Sequence, residues 1–176
     1  MKVGFPPVTC RSADDTAALA EVFVGEVRGG LYIILSGELG AGKTAFTQSL
    51  AGALGVRGVR SPTFVTETIH KIPNRDFDLV HADLYRYDCV PPDSDTGLQF
   101  AEYLSGPRAA LLVVEWGERW TPPGEGWKIN ISSPGDGSDF RSFAMSAFGD
   151  DASRRMSKVY ETMLDLRASG RFGGFC

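Results

Sequence analysis

The chain has 176 residues, 43% of them hydrophobic and 23% charged, enough for one domain with a sizeable core and short for two. A net charge of −4 argues against a protein that grips nucleic acid alone through its phosphates, so any RNA or DNA would be held mainly by a partner. The three cysteines, Cys10, Cys89 and Cys176, are widely spaced and odd in number, which suggests neither a disulfide framework nor a zinc site and reads as isolated thiols in a reducing compartment. The N-terminus lacks the apolar stretch of a signal peptide and no run approaches membrane-spanning length, so the sequence reads as cytoplasmic with no membrane partner.

Residues 1 to 11 read as extended, with Pro6 and Pro7 breaking any helix. Ser12 or Asp14 can cap a helix to about Val27, whose apolar face carries Leu19, Phe23 and Val27. Leu31 to Ser36 is a run of branched apolar residues suited to a strand buried on both faces. A Gly-rich loop follows, then a helix from about Lys43 to Leu54. Phe64 to Ile69 and Leu79 to Tyr85 read as strands, the Pro91-Pro92 segment as a loop, and Leu98 to Leu104 as a short helix. Ala109 to Glu115 is a second buried strand, and Trp127 to Ser132 with Phe140 to Ala147 forms a hairpin across PGDGSD. Residues 1–150 thus read as one domain; 151–176 adds a C-terminal helix and a Gly-rich tail that reads as mobile. The order of elements predicts a three-layer α/β domain with a mainly parallel central sheet and a small antiparallel hairpin.

The segment GELGAGKT, Gly37-Glu38-Leu39-Gly40-Ala41-Gly42-Lys43-Thr44, fits the P-loop pattern G-x-x-x-x-G-K-[ST] between an apolar strand and an amphipathic helix. The glycines let backbone N–H groups turn onto phosphate oxygens, and the helix that starts near Lys43 adds its positive end. Lys43 then places a charge on the β and γ phosphates of ATP or GTP, and the Thr44 hydroxyl goes to Mg²⁺. Ala45 follows directly and shares that cradle.

A P-loop site also needs a carboxylate at the end of a neighbouring strand. Glu115 ends the apolar run ALLVVE, where an acid is costly without a partner such as a metal; the plainer reading is an exposed strand end. Asp83, in HADLYR, is either a catalytic or metal-linked carboxylate or an ion-pair partner of Arg86. Thr63, in Ser61-Pro62-Thr63, lies where P-loop enzymes place a switch, or belongs to a simple turn. Trp116 either covers the nucleotide or is a partly exposed core residue. His70 and His81 show no metal-ligand spacing and read as structural or surface residues.

The ordered set GELGAGKTAFTQSLAGALGV, SPTF, HADLYR, EYL and VVEWGER, over roughly residues 12 to 148, resembles the TsaE family, also called YjeE. The resemblance implies a P-loop fold with weak intrinsic ATPase activity, ATP and Mg²⁺ as cofactors, and a role beside a TsaB–TsaD complex that makes threonylcarbamoyladenosine in tRNA. ATP hydrolysis would reset that complex between turnovers, and tRNA would be met only through it. By match of motif it makes Lys43 and Thr44 the phosphate and Mg²⁺ residues, Glu115 a Mg²⁺ ligand and Asp83 catalytic or metal-linked. Thr63 becomes a switch residue, Trp116 a neighbour of the nucleotide and Thr16 part of the segment beside the adenine. The sequence departs from the family's acidic helical stretch after DLYR, reading DCVPPDSDTGLQF instead, and extends further after Asp150. A P-loop kinase of a small molecule or nucleoside is the alternative, though no Arg-rich lid is evident. Arg86, Arg119 or a partner could complete the charge needed for hydrolysis.

Overall fold

The computed structural model describes residues 2–62, 66–89, 100–107, 109–135 and 138–169. Thr63, the Pro91-Pro92 loop, Arg108 and the tail from 170 lie outside the described residues. The chain opens with strands β1 (Lys2–Gly4) and β2 (Val8–Cys10), either side of Pro6 and Pro7, followed by helix α1 (Ala13–Phe23). Ser12 is the N-cap, its hydroxyl accepting from the Asp15 amide. The helix stops at Phe23, short of the predicted Val27. Gly25 weakens a helix interior, and the Glu26 and Val27 amides return to the Phe23 carbonyl in a turn that drops Val27 into the core.

Strand β3 (Leu31–Ser36) is buried along its whole length, as its continuous apolar run demands. Helix α2 (Lys43–Ala53) leaves the Gly-rich loop, and the hairpin of β4 (Glu67–Lys71) and β5 (Asp78–Asp83) follows. A short helix α3 (Phe100–Leu104) precedes β6 (Leu111–Glu115) and a single 3₁₀ turn (Gly117–Arg119). The chain then forms the hairpin β7 (Gly126–Ser132) and β8 (Arg141–Phe148) and ends its described part in helix α4 (Asp150–Ala168).

The strand order is β1-β8-β7-β3-β6-β5-β4, with β2 also paired to β8. The centre, β7-β3-β6-β5, is parallel, while β4 at one edge and β8 beside β7 run antiparallel. Alternate residues of β3 feed two cores: Leu31, Ile33 and Leu35 face α1, α2 and α4, whereas Tyr32 and Ile34 face α3 and Trp120. This is the predicted three-layer arrangement, thick on one side and thin on the other. Because β3 and β6 run parallel in the middle of the sheet, their carboxyl ends, Ser36 and Glu115, emerge together beneath the start of α2.

Helix α4 is part of the larger core through Ala152, Met156, Val159 and Met163. Its N-terminus has no side-chain cap of its own. The Glu125 carboxylate instead accepts from the amides of Asp150, Asp151 and Ala152, satisfying orphan donors at a helix start. Trp127 lies under this joint, fully buried, edge-on to Phe23 with ring centroids 5.5 Å apart, and donating Nε1–H to the Ala152 carbonyl at 2.9 Å. Trp127→Ala should destabilise the fold by about 3–5 kcal/mol, read as a lower midpoint in chemical denaturation.

Candidate functional site

The loop after β3 is held open by backbone geometry that only glycine adopts without strain. Gly37, Gly40 and Gly42 all have positive φ, at 141°, 79° and 108°. Gly37 is the tightest: a Cβ there would meet the Ile131 carbonyl oxygen at 2.1 Å. Glu38, Leu39 and Gly40 form the exposed crest of the loop, and Leu39 is 79% exposed, whereas Ala41 turns inward and is buried. Gly42 is the N-cap of α2 and offers no side chain to the first amides of the helix, which are left for an anion.

Lys43 folds back over this loop. Its Nζ donates to the carbonyls of Gly37 at 2.7 Å and Glu38 at 2.9 Å, and lies 3.7 Å from the centre of the Trp116 ring. Burial pushes the ammonium below its ordinary pKa, and the carboxylates of Glu115, Glu118 and Asp83 oppose that shift. Trp116 reaches this position from a left-handed backbone conformation, φ 57° and ψ 32°, at the turn directly after β6.

Thr44, the next residue of α2, donates its hydroxyl to Oε2 of Glu115 at 2.8 Å. Glu115 is the last residue of β6 and only 2% exposed, so the exposed strand-end alternative does not hold. Its second oxygen, Oε1, accepts from Nε2 of His81 at 2.8 Å. The sequence pattern of His81 suggests a structural or surface residue; in the fold it is fully buried and bonded to the site carboxylate. The usable signal was strand alternation: His81 lies two residues before Asp83 and therefore on the same face of β5.

Asp83 ends β5 directly beside Glu115 in the parallel register. It accepts the Ser61 hydroxyl at 3.0 Å and the Tyr85 amide at 2.8 Å. The segment that leads into Thr63 is therefore tied to Asp83. Arg119 turns one guanidinium nitrogen, Nη1, to structure: it donates to the carbonyls of Leu84, Tyr85 and Tyr87, and the group lies 5.2 Å from the Trp116 ring centre. This clamp joins the turns after β5 and β6 and occupies one of the arginines considered for charge stabilisation.

Thr16, on α1, sits apart from the crest of the loop. With Ser12, Gly42, Ala45, Asp139, Arg141 and others it lines a recess of about 140 Å³ beside the start of α2. The structure thus brings Lys43, Thr44, Asp83, Glu115 and Trp116 to one point and places Thr16 and Ala45 together on the flank.

A divalent cation fits the inner part of this set. The Thr44 hydroxyl and Glu115 carboxylate are hard oxygen donors already converged at 2.8 Å. No group of three or more His, Cys, Asp or Glu side chains forms a metal cage among the described residues. The pair of oxygen donors, Thr44 and Glu115, suits Mg²⁺, which takes one or two protein oxygens and completes its shell with water and phosphate.

The family model for the threonylcarbamoyl adenosine biosynthesis protein TsaE matches residues 10–139. The chain belongs to the TsaE family. Among its relatives, the tRNA threonylcarbamoyladenosine biosynthesis protein TsaE of Aquifex aeolicus is 39% identical over 118 residues, covering 65% of this chain and 79% of that one. TsaE of Bacillus subtilis is 34% identical over 139 residues, 77% of this chain and 82% of its own. The crystal structure of Bacillus subtilis YdiB superposes with a TM-score of 0.71 at 25% identity, covering 92% of this chain and 97% of that one. The match to TsaE reaches from just before α1 to just before β8, so it takes in Lys43, Thr44, Asp83, Glu115 and Trp116, while Arg141 of the recess lies just beyond it. Helix α4 lies beyond the TsaE match.

Proposed function

We propose that the chain binds ATP with Mg²⁺ at the Gly37–Thr44 loop, hydrolyses it slowly, and uses the cycle to reset a TsaB–TsaD transferase during threonylcarbamoyladenosine formation in tRNA. The observation that carries the reading is the convergence of the glycine loop, Lys43, and the Thr44–Glu115 pair at the carboxyl ends of β3 and β6. In the proposed complex amides of the loop and of the first turn of α2 take the phosphates, and Lys43 exchanges its two carbonyls for phosphate oxygens. Thr44 and Glu115 would hold Mg²⁺, which when bound draws charge from the β and γ phosphates. Asp83 orients water at the edge of the site, and Trp116 and Lys43 close its wall. The recess lined by Thr16 and Ala45 suits the nucleoside end of the ligand.

Two features support slow turnover and a switch. Arg119 gives its Nη1 to three carbonyls, which leaves Arg86 or a partner to supply the charge that accelerates hydrolysis. Ser61 is bonded to Asp83, so a change at Asp83 on hydrolysis passes directly to the segment that contains Thr63.

The test is phosphate release from ATP-Mg²⁺ by the purified protein, alone and with TsaB plus TsaD. Slow release alone and stimulation on the order of tenfold or more by the pair is the expected result, since a charge supplied in trans is worth that much or more. A rate indifferent to the pair would remove the resetting role and leave a nucleotide hydrolase with another task.

A further inference from the structure

A buried histidine in an apolar sheet needs a polar reason to be there. His81 lies on β5 between Leu79, fully buried on its own face, and Asp83, and has no exposed surface. Its neighbour in the parallel register is Val113, itself fully buried. Burying imidazole nitrogens is costly unless they are bonded, so a Leu or Phe would suit packing alone better. Its Nδ1 has no hydrogen-bond partner among the described residues. Its Nε2 has one, Oε1 of Glu115 at 2.8 Å. A carboxylate can only accept, so Nε2 carries the hydrogen. Glu115 is therefore the group that accounts for a histidine at this position.

We infer that His81 is a positioning residue for Glu115: it holds Oε1 so that Oε2 faces Thr44 and the cation. Both oxygens of Glu115 are now engaged, one by His81 and one by the Thr44 hydroxyl. If Thr44 coordinates Mg²⁺ through a hydroxyl lone pair, its hydrogen can stay on Oε2, but Oε2 would then be shared with the cation, and His81 is the donor that fixes the other oxygen of the carboxylate. An outer partner that orients a metal-binding carboxylate is commonly worth about 10- to 100-fold in metal affinity. His81 never touches nucleotide in this scheme; its effect passes through Glu115. The inference rests on the proposed ATP-Mg²⁺ site, and the experiment separates the two.

The probe is an ATP analogue with a fluorescent ribose substituent, followed by its emission, with no turnover needed. Its affinity is measured in EDTA, and the Mg²⁺ midpoint is measured at saturating analogue. His81→Gln keeps an N–H able to reach Oε1, whereas His81→Asn is equally polar but too short. His81→Asn should raise the Mg²⁺ midpoint about 10- to 100-fold, with analogue affinity in EDTA within about twofold of the unsubstituted protein. His81→Gln should recover most of the loss. Equal Mg²⁺ midpoints for His81→Asn and the unsubstituted protein would overturn the positioning role while leaving the nucleotide site intact. So would failure of both polar variants to fold, since that would mark His81 as a packing residue. Failure of the unsubstituted protein to bind the analogue, or binding with no response to Mg²⁺, would instead overturn the ATP-Mg²⁺ reading itself, and this inference with it.

Discussion

Lys43→Ala should lose nucleotide binding and keep its fold. Charge-assisted hydrogen bonds are worth about 1.5–3 kcal/mol each, so removing the ammonium from two phosphates should weaken ATP binding on the order of a hundredfold or more. The same change should be mild in the nucleotide-free protein. Lys43 there is nearly buried, at 5% exposure, and burial already works against its charge. What it gains is two carbonyls and the face of Trp116. Gly37 is half-buried and Glu38 exposed, so water can take over both carbonyls when the ammonium leaves. A change in stability of about 1 kcal/mol or less is expected. Titration calorimetry with ATP-Mg²⁺ reads the first effect and thermal unfolding the second. Near-normal ATP affinity in a folded Lys43→Ala protein would remove the loop from the nucleotide site.

Glu115 should show the opposite division, between binding and turnover. Glu115→Gln keeps the shape of the side chain but places an amide where two donors, the Thr44 hydroxyl and His81 Nε2, now point. Mg²⁺-dependent phosphate release should fall on the order of a hundredfold, while nucleotide affinity measured in EDTA changes little. Glu115→Ala adds a structural cost. It strands the His81 N–H in a fully buried position, and an unpaired buried donor costs about 1–3 kcal/mol. The alanine variant should therefore unfold earlier than the glutamine variant while both lose turnover. Unchanged phosphate release in Glu115→Gln would falsify the assignment of Glu115 to the metal.

The two substitutions also separate the two halves of the site. Lys43 approaches from α2 and reports on the phosphates; Glu115 approaches from β6 and reports on the cation. Thr44, which follows the lysine in sequence and is bonded to the glutamate, links the two. Single substitutions here are not expected to add, because Lys43, Thr44 and Glu115 share charges and partners.

Much of the fold was legible because its signals are local. The β3 run Leu31–Ser36 has no polar residue before its last position, and it forms a strand with the bounds the sequence implied. Ser12 as a helix cap, the breaks at Pro6 and Pro7, and the alternation of β7 and β8 are likewise properties of a few adjacent residues. The helix end near Val27 was misplaced because an apolar residue at helical spacing looks the same whether a helix or a turn carries it inward; only the packing against the sheet separates the two.

For the site, the sequence by itself determined the Gly37–Thr44 loop proposed to take the phosphates. The glycines, Lys43 and Thr44 are contiguous, and their chemistry follows from chain geometry that eight residues specify. Glu115 and Asp83 were recognisable as acids at the ends of apolar runs. Tertiary structure alone decided what those acids touch. The parallel register of β5 and β6 sets Asp83 beside Glu115 and brings His81 within reach of it, although 34 residues separate the histidine from the glutamate. Likewise the sequence offers Arg119 as a charge for hydrolysis, and only the folded turn after β5 presents it with three carbonyls. Contacts between neighbouring strands depend on register and on which face each residue takes, and a single chain read in order contains neither until the sheet is assembled.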